Sequence, residues 1–377
     1  MLINGIFFRG IIITPANADA AKKQSPSWSP LLLLKCVYGK KLTVVIHWII
    51  CLQLSFVLNM VIKSSVLSNK IQVKRAFMTP KKHRLLLGAH MPISGGLEKA
   101  VERGQSIGCT TIQIFTKSNR QWHAKPLTHD AIELFKKTAT ASTVHPIVAH
   151  ASYLINIASP DKKIEHASVE ALVQELNRCQ ELGIHYLVLH PGSHVKGTPQ
   201  EGIERIISNL NSIFERVSGS TILSLETMAG QGSALCSTFE QIATIIKHIN
   251  HKNRIGVCFD TCHAFVAGYD LRTPKTYEQT WKTFDETIGI EKLNVIHVND
   301  SKKGLNSRVD RHEHIGKGEL GLEAFELLFN DKRFFDIPKI LETPKATEEP
   351  FTEDIMNLAT IRSLLWASTK KTLGVEE

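Results

Sequence analysis

The sequence predicts an α/β protein of the (β/α)8 (TIM) barrel class, with its active site at the carboxyl ends of the strands, on three observations. Eight short apolar runs have the length and Val/Ile/Leu content of strands buried on both faces. Helix-forming stretches separate most of them. The last six of the runs stop at or just past a candidate metal ligand, and the strand ends of such a barrel converge on one mouth.

The first two runs are RLLLGAH, ending at His90, and TIQIFT, ending at Thr116. The other six are HPIVAH to His150, HYLVLH to His190, TILSLE to Glu226, RIGVCFD to Asp260, NVIHV just past His297, and IPKILE to Glu342. Helical periodicity predicts a helix over 96–107 after the first strand, over 128–138 after the second and over 164–182 after the third. The last of these gathers Ala167, Val169, Leu172, Val173, Leu176 and Leu182, with acids and Lys on the opposite face. Stretches at 203–217, 237–249 and 277–288 continue the alternation, and right-handed crossovers close this order into a barrel. The segments HPGSHVKGTP, ETMAGQGSA, AGYDLRTPK and NDSKKGLNSRVDRHEHIGKGE follow strand ends. They are rich in Gly, Pro and Ser and too polar for a core, which suits active-site loops.

A chain of 377 residues, 43% hydrophobic, suffices for one large domain or two ordinary ones. No low-complexity linker or short-period repeat follows Met78, so 78–377 is expected to be one domain. The basic charge is confined to the N-terminal part. Residues 1–77 hold ten Lys/Arg against one acid, Asp19, which accounts for the whole net charge of +9 and leaves the remainder balanced. A nucleic-acid role therefore rests on local patches rather than on net charge. Residues 1–77 are expected to be a leader, disordered or a non-native start ahead of Met78. Within it, 42–62 is apolar enough by length to span a bilayer, so membrane anchoring is the alternative. Cys36, Cys51, Cys109, Cys179, Cys236, Cys258 and Cys262 are odd in number and form no CxxC pair, as expected of reduced thiols in a cytoplasmic protein. Cys258 and Cys262 flank Asp260 and read as packing residues.

The candidate metal-ligating side chains are His150, His190, Glu226, Asp260, His263, His297, Asp310, His312 and Glu342. Such mixed nitrogen and oxygen donors suit zinc, and the lack of cysteine among them points to a catalytic site with open positions. Manganese and iron remain compatible. A catalytic zinc takes roughly three protein ligands, so nine exceed one ion and suit two or three. Asp310 and His312 can share one side of an extended loop, and Asp260 and His263 can turn inward together where the sixth strand ends. A lone strand-end histidine is ordinarily structural, but Glu226 and Glu342 at the ends of apolar runs would be costly unpaired. Clustered divalent ions suit in-line displacement at a phosphate. The alternative, a metal-assisted aldose–ketose isomerase, needs two ions and more carboxylates.

The segments LGAHMPISGGL, QIFTKSNRQW, HASYLINIASP, LHPGSH, LETMAGQGS, CFDTCHAFVAGYDLRTP, IHVNDSK, RVDRHEHIGKGELG and LETP, in this order, resemble the endonuclease IV family, zinc-dependent apurinic/apyrimidinic endonucleases of base-excision repair. The resemblance covers about residues 84–345 and excludes 1–77. It implies a three-zinc cluster that cuts the phosphodiester 5′ to an abasic site, leaves a 3′-hydroxyl and removes 3′ blocking groups from double-stranded DNA. By the resemblance, His150, His190 and Glu226 hold the first ion. Glu226 bridges to a second shared with Asp260, His297 and Glu342, and the third sits on His263, Asp310 and His312. A metal-bridging hydroxide is then the nucleophile, with Glu226 and Glu342 the catalytic carboxylates. Arg120, Tyr153 and Leu154 match the residues that the family inserts into the duplex, where an aromatic and an apolar side chain can fill the gap of a missing base. Without the resemblance, Tyr153 and Leu154 read equally well as a helix-start staple. Lys117, Lys302, Lys303, Arg308 and Lys317 are candidate phosphate contacts. Ala151 stands where some relatives carry an acid, and Thr227-Met228 where Asn-Thr is usual. These departures bear on hydrogen bonds behind the ligands rather than on reaction type. A monomer associated with the nucleoid is expected, and a lesion-binding protein without catalysis is a third alternative.

Overall fold

The computed structural model describes residues 83–346 and 350–375. The chain divides between Lys81 and Lys82, so the expected leader and the apolar segment at 42–62 lie outside the described residues. Among the described residues no helix is long and apolar enough to cross a membrane.

Each of the eight apolar runs forms a strand: β1 (Leu87–Ala89), β2 (Ile112–Phe115), β3 (Ile147–His150), β4 (Tyr186–Leu189), β5 (Ile222–Glu226), β6 (Ile255–Asp260), β7 (Leu293–Val298) and, eighth in the barrel, β10 (Lys339–Leu341). They pair in parallel in the order β1-β10-β7-β6-β5-β4-β3-β2. A parallel bridge between His90 and Gln113, with the Met91 amide donating to the Gln113 carbonyl at 2.8 Å, brings β1 back to β2. The intervening helices are α1 (Leu97–Ser106), α2 (His129–Ala141), α3 (Lys162–Leu182), α4 (Pro199–Arg216), α5 (Phe239–His248), α6 (Thr261–Ala267), α7 (Pro274–Thr287), α8 (Gly321–Asn330), α9 (Thr352–Ser363) and α10 (Ala367–Leu373).

The periodicity that predicts α4 and α7 starts them at 203 and 277, one turn late. Their first turns are polar and are set by Thr198 and Thr273, each an N-cap in a capping box with Pro at the first position. Four helices escape the apolar pattern. α6 follows β6 without a break, and α8, α9 and α10 lie in the C-terminal part, where no helix is predicted. The predicted loop 299–319 contains a two-residue ladder, β8 (Asp300–Ser301) against β9 (His312–Glu313), which folds the intervening residues back on themselves.

Strand side chains alternate in direction, and this alternation positions the site. Val148, Val188, Cys258, Val295 and Ile340 form a fully buried cluster of their own inside the barrel. The candidate ligands His150, His190, Asp260, His297 and Glu342 each lie two residues further along the same strand or just past its end, so they occupy the next interior layer toward the mouth. Intervening residues such as Ala149, Leu189, Phe259, Ile296 and Leu341 face outward into the larger core beneath the helices.

Candidate metal centre

Each candidate is delivered by a distinct local device. His150, Glu226 and Asp260 are the last residues of β3, β5 and β6, His297 is the penultimate residue of β7, and His190 and Glu342 directly follow β4 and β10. Asp260 is also the N-cap of α6, accepting the His263 amide at 2.7 Å, which turns the His263 side chain into the site in the first helical turn. Asp310 and His312 arrive on the return arm of the β8–β9 ladder. That loop is anchored by the buried Asp300 carboxylate, which accepts the amides of Ser301, Gly316, Gly318 and Leu320 at 2.7, 2.9, 3.0 and 3.0 Å.

The nine side chains meet in three adjoining groups. In the first, Glu226 Oε2 lies 3.3 Å from His150 Nε2 and 3.2 Å from His190 Nε2. In the second, His297 Nδ1 lies 3.2 Å from Glu226 Oε1, 3.2 Å from Glu342 Oε2 and 3.9 Å from Asp260 Oδ2. In the third, His263 Nε2 and His312 Nε2 are 3.4 Å apart and lie 3.2 and 3.4 Å from the two oxygens of Asp310. Asp260 Oδ2 reaches this group too, at 3.9 Å from His312 Nε2. Glu226 thus spans the first two groups with its two oxygens. A tetrahedral ion bound at about 2.0–2.1 Å has ligand-to-ligand edges of roughly 3.3 Å, the spacing found in all three groups.

The histidines are also oriented as metal ligands require. His150 Nδ1 faces the Ala151 carbonyl at 2.7 Å, His263 Nδ1 the Thr227 carbonyl at 3.0 Å and His312 Nδ1 the Glu342 carbonyl at 3.0 Å. A carbonyl only accepts, so each ring donates from Nδ1 and presents Nε2 to its group. Two of the sequence departures therefore act through atoms that any residue supplies, the carbonyls of Ala151 and Thr227. The Thr227 hydroxyl adds an acceptor for the Asp260 amide at 2.9 Å, and Met228 packs against the core.

Glu226, Asp260 and His297 are 0% exposed. Burial pushes the Glu226 carboxyl up, but the charges of His190 and His297 and hydrogen bonds from His150 and His190 hold it well below the ordinary carboxylate range. Glu342 is half-buried at the cleft; desolvation pushes its carboxyl up, but the charge and hydrogen bond of His297, then the hydrogen bond of His90, hold it well below the ordinary carboxylate range. Burial opposes charge on His263 and His297, yet both are raised well above the usual imidazole value, His263 by Asp260, Asp310 and Glu226 and His297 by Cys258 and then Glu342 and Glu226. A divalent ion bound among these carboxylates would compete with protons on the rings. Burial pushes the Cys258 and Cys262 thiols up to about 12, and Cys258 lies in the interior packing layer.

The predicted DNA contacts lie on the rim. Ser152 to Ile155 form a turn closed by the Ile155 amide on the Ser152 carbonyl at 3.1 Å, with Tyr153 and Leu154 at its tip, 52% and 37% exposed. α3 begins only at Lys162, so these two are not a helix-start staple. The Ser152 hydroxyl donates to the Asn119 carbonyl at 2.7 Å and ties this turn to the loop of the exposed Arg120. The Tyr153 ring centroid is 5.1 Å from those of both His150 and His190. A cleft of about 670 Å³ is lined by His90, Arg120, Tyr153, Glu342 and Lys345 among others. Lys117 does not serve as a free phosphate contact. It is buried, 3.2 Å from Glu175 Oε1, and donates to the Gln121 carbonyl at 2.8 Å. Lys302, Lys303, Arg308 and Lys317 are exposed.

Three site residues were not among the sequence candidates. Asn299 donates to Asp260 Oδ2 at 2.7 Å and accepts the Glu342 amide at 2.9 Å. Gln113 and His90 lie against Glu342, Gln113 Nε2 at 2.6 Å and His90 Nδ1 at 3.6 Å from its Oε1. Gln113 is an amide within the apolar run TIQIFT, a position whose meaning depends on the strand that bears His297.

Residues 101–361 match the family of xylose isomerase-like TIM barrels. A probable endonuclease 4 from Trichlorobacter lovleyi is 48% identical over 279 residues, 74% of this chain and 99% of the relative. One from Geobacter sulfurreducens is 48% identical over 286 residues, 76% of this chain and 96% of the relative. The crystal structure of endonuclease IV from Thermus thermophilus superposes with a TM-score of 0.65 at 36% identity, covering 74% of this chain and 98% of that one. With these relatives matched along nearly their whole length, the chain belongs to the endonuclease IV family.

Proposed function

We propose that this protein is a DNA-repair nuclease that hydrolyses the phosphodiester 5′ to an abasic site, leaves a 3′-hydroxyl, and removes 3′ blocking groups with three zinc ions bound. The observation that carries this is the meeting of three metal-sized donor groups, the first two joined through Glu226 and the third reached by Asp260, beside an exposed turn that presents Tyr153 and Leu154. His150, His190 and Glu226 would hold one ion, Glu226, Asp260, His297 and Glu342 a second, and His263, Asp310 and His312 a third. Bound zinc lowers the pKa of the attacking water and offsets charge on the nonbridging and leaving oxygens.

The chain's own residues do the rest. Tyr153 and Leu154 are placed to fill the space of the missing base, and Arg120 stands where it can reach the stack or a phosphate. Glu342, ionised and lining the cleft, can accept a hydrogen bond from the attacking water and orient it. The water oxygen forms the new bond to phosphorus, the bond to the 3′ oxygen breaks, and the proton passes to that oxygen.

The test is incubation of the full chain with a duplex bearing one tetrahydrofuran abasic analogue, with metal content measured on the same sample. The expected result is a nick on the 5′ side, lost in chelator and restored by zinc, with about three ions per chain. Intact DNA at full metal loading would overturn the proposal, and turnover of an aldose by the same sample would identify a sugar isomerase.

A further inference from the structure

We propose that Gln113, on a strand that contributes no metal-ligand candidate, is a positioning residue that fixes both His297 and Glu342 for the ion they share. This rests on the metal reading given above.

Gln113 is 0% exposed and pairs in register with Val148 of the interior layer, so its side chain points into the barrel beneath the ligands. Its Nε2 lies 2.6 Å from Glu342 Oε1 and 3.0 Å from His90 Nδ1, and its Oε1 lies 2.8 Å from His297 Nε2. A carboxylate that serves as a metal ligand only accepts, so the amide NH2 faces Glu342 and the carbonyl oxygen then faces His297. That oxygen also only accepts. His297 therefore carries a proton on Nε2 and turns Nδ1 toward Glu226 Oε1 and Glu342 Oε2, each at 3.2 Å. One amide thus selects the ring nitrogen offered to the ion and holds the carboxylate that completes the group.

Gln113 has no backbone equivalent. His150, His263 and His312 are oriented by main-chain carbonyls, which mutation leaves in place. His297 is oriented by a side chain, and it presents the opposite nitrogen.

The test compares wild type, Gln113→Met and Gln113→Glu by competition with a graded zinc chelator, counting ions retained per chain. Methionine fills similar space but neither donates nor accepts. The expected result is that Gln113→Met loses one ion at a free-zinc level roughly 10–100-fold higher than wild type requires, while the remaining ions keep wild-type affinity. KM for abasic DNA should stay unchanged and kcat should fall with the lost ion. Gln113→Glu keeps an acceptor for His297 but sets a carboxylate against Glu342, so the same ion should weaken. It serves as the second variant if Gln113→Met does not fold when metal-free. Equal affinity for every ion in both variants and wild type, or equal weakening of all ions, overturns the role of Gln113. A wild-type chain that binds no metal overturns the functional reading and this proposal with it.

Discussion

Asp260 caps the helix that carries His263. Its Oδ1 accepts the His263 amide at 2.7 Å, while its Oδ2 receives the Asn299 amide at 2.7 Å and lies 3.9 Å from both His297 Nδ1 and His312 Nε2. One carboxylate therefore ends β6, starts α6 and stands between two of the three donor groups. This couples local folding to the geometry of the site, because the DTCH spacing delivers a second candidate ligand only if the cap forms.

The two roles separate by substitution. Asp260→Asn retains an oxygen for the His263 amide and loses the charge, whereas Asp260→Ala loses both. In chelator, thermal unfolding should place the Ala variant below the Asn variant by about 1 kcal/mol, the usual worth of an N-cap. Both should retain less zinc than wild type. Equal stability of the two variants would show that the cap does not hold α6 in place.

Lesion contact and metal binding should also come apart. Tyr153 and Leu154 are exposed at the tip of a turn, so alanine at either should alter stability by no more than about 0.5 kcal/mol. If Tyr153 fills the abasic gap, Tyr153→Ala should weaken binding of abasic duplex by about 1–3 kcal/mol, the range found for loss of an aromatic stacking partner. Bound zinc should remain at the wild-type level. Glu226→Gln should show the opposite pattern, with metal lost and turnover falling by more than about a hundredfold, since Glu226 faces two donor groups. A Tyr153→Ala variant that binds and cuts normally would remove the wedge from the mechanism.

These contrasts mirror what the sequence displays and what it hides. Strand ends were legible because burial on both faces leaves unbroken apolar runs, so a terminal His, Asp or Glu stands out. Since side chains alternate, a ligand two residues beyond Val148 or Val295 shares their interior face. Gln113 was hidden because it sits within its run, where a polar residue has no meaning until the strand across the barrel, bearing His297, is placed opposite. α6 was hidden because β6 passes into it through a single residue, Asp260, leaving no loop to mark the change of period. The buried state of Lys117 was equally nonlocal, since its partner Glu175 lies on α3.

Lys339 carries a last prediction, at the start of β10 and on the far side of Ile340 from the mouth. It is fully buried, its ammonium donating to the carbonyls of Phe334 and Ile337 and lying 5.7 Å from the Phe329 ring centroid. Burial pushes it down to about 7, against the opposing pull of Asp331 and Asp336. Between pH 7 and the ordinary lysine value the unfolded chain binds the extra proton, so stability should rise with pH across this window and lose that slope below it. The slope is at most about 1.36 kcal/mol per pH unit, so the whole window is worth a few kcal/mol. Lys339→Met removes the titration. Urea unfolding of wild type and variant in chelator at about pH 7 and 9.5 should show the wild type gaining stability relative to the variant at the higher pH. Parallel behaviour of the two would mean that Lys339 keeps an ordinary affinity for its proton, with the two carbonyls and the Phe329 ring compensating its loss of water.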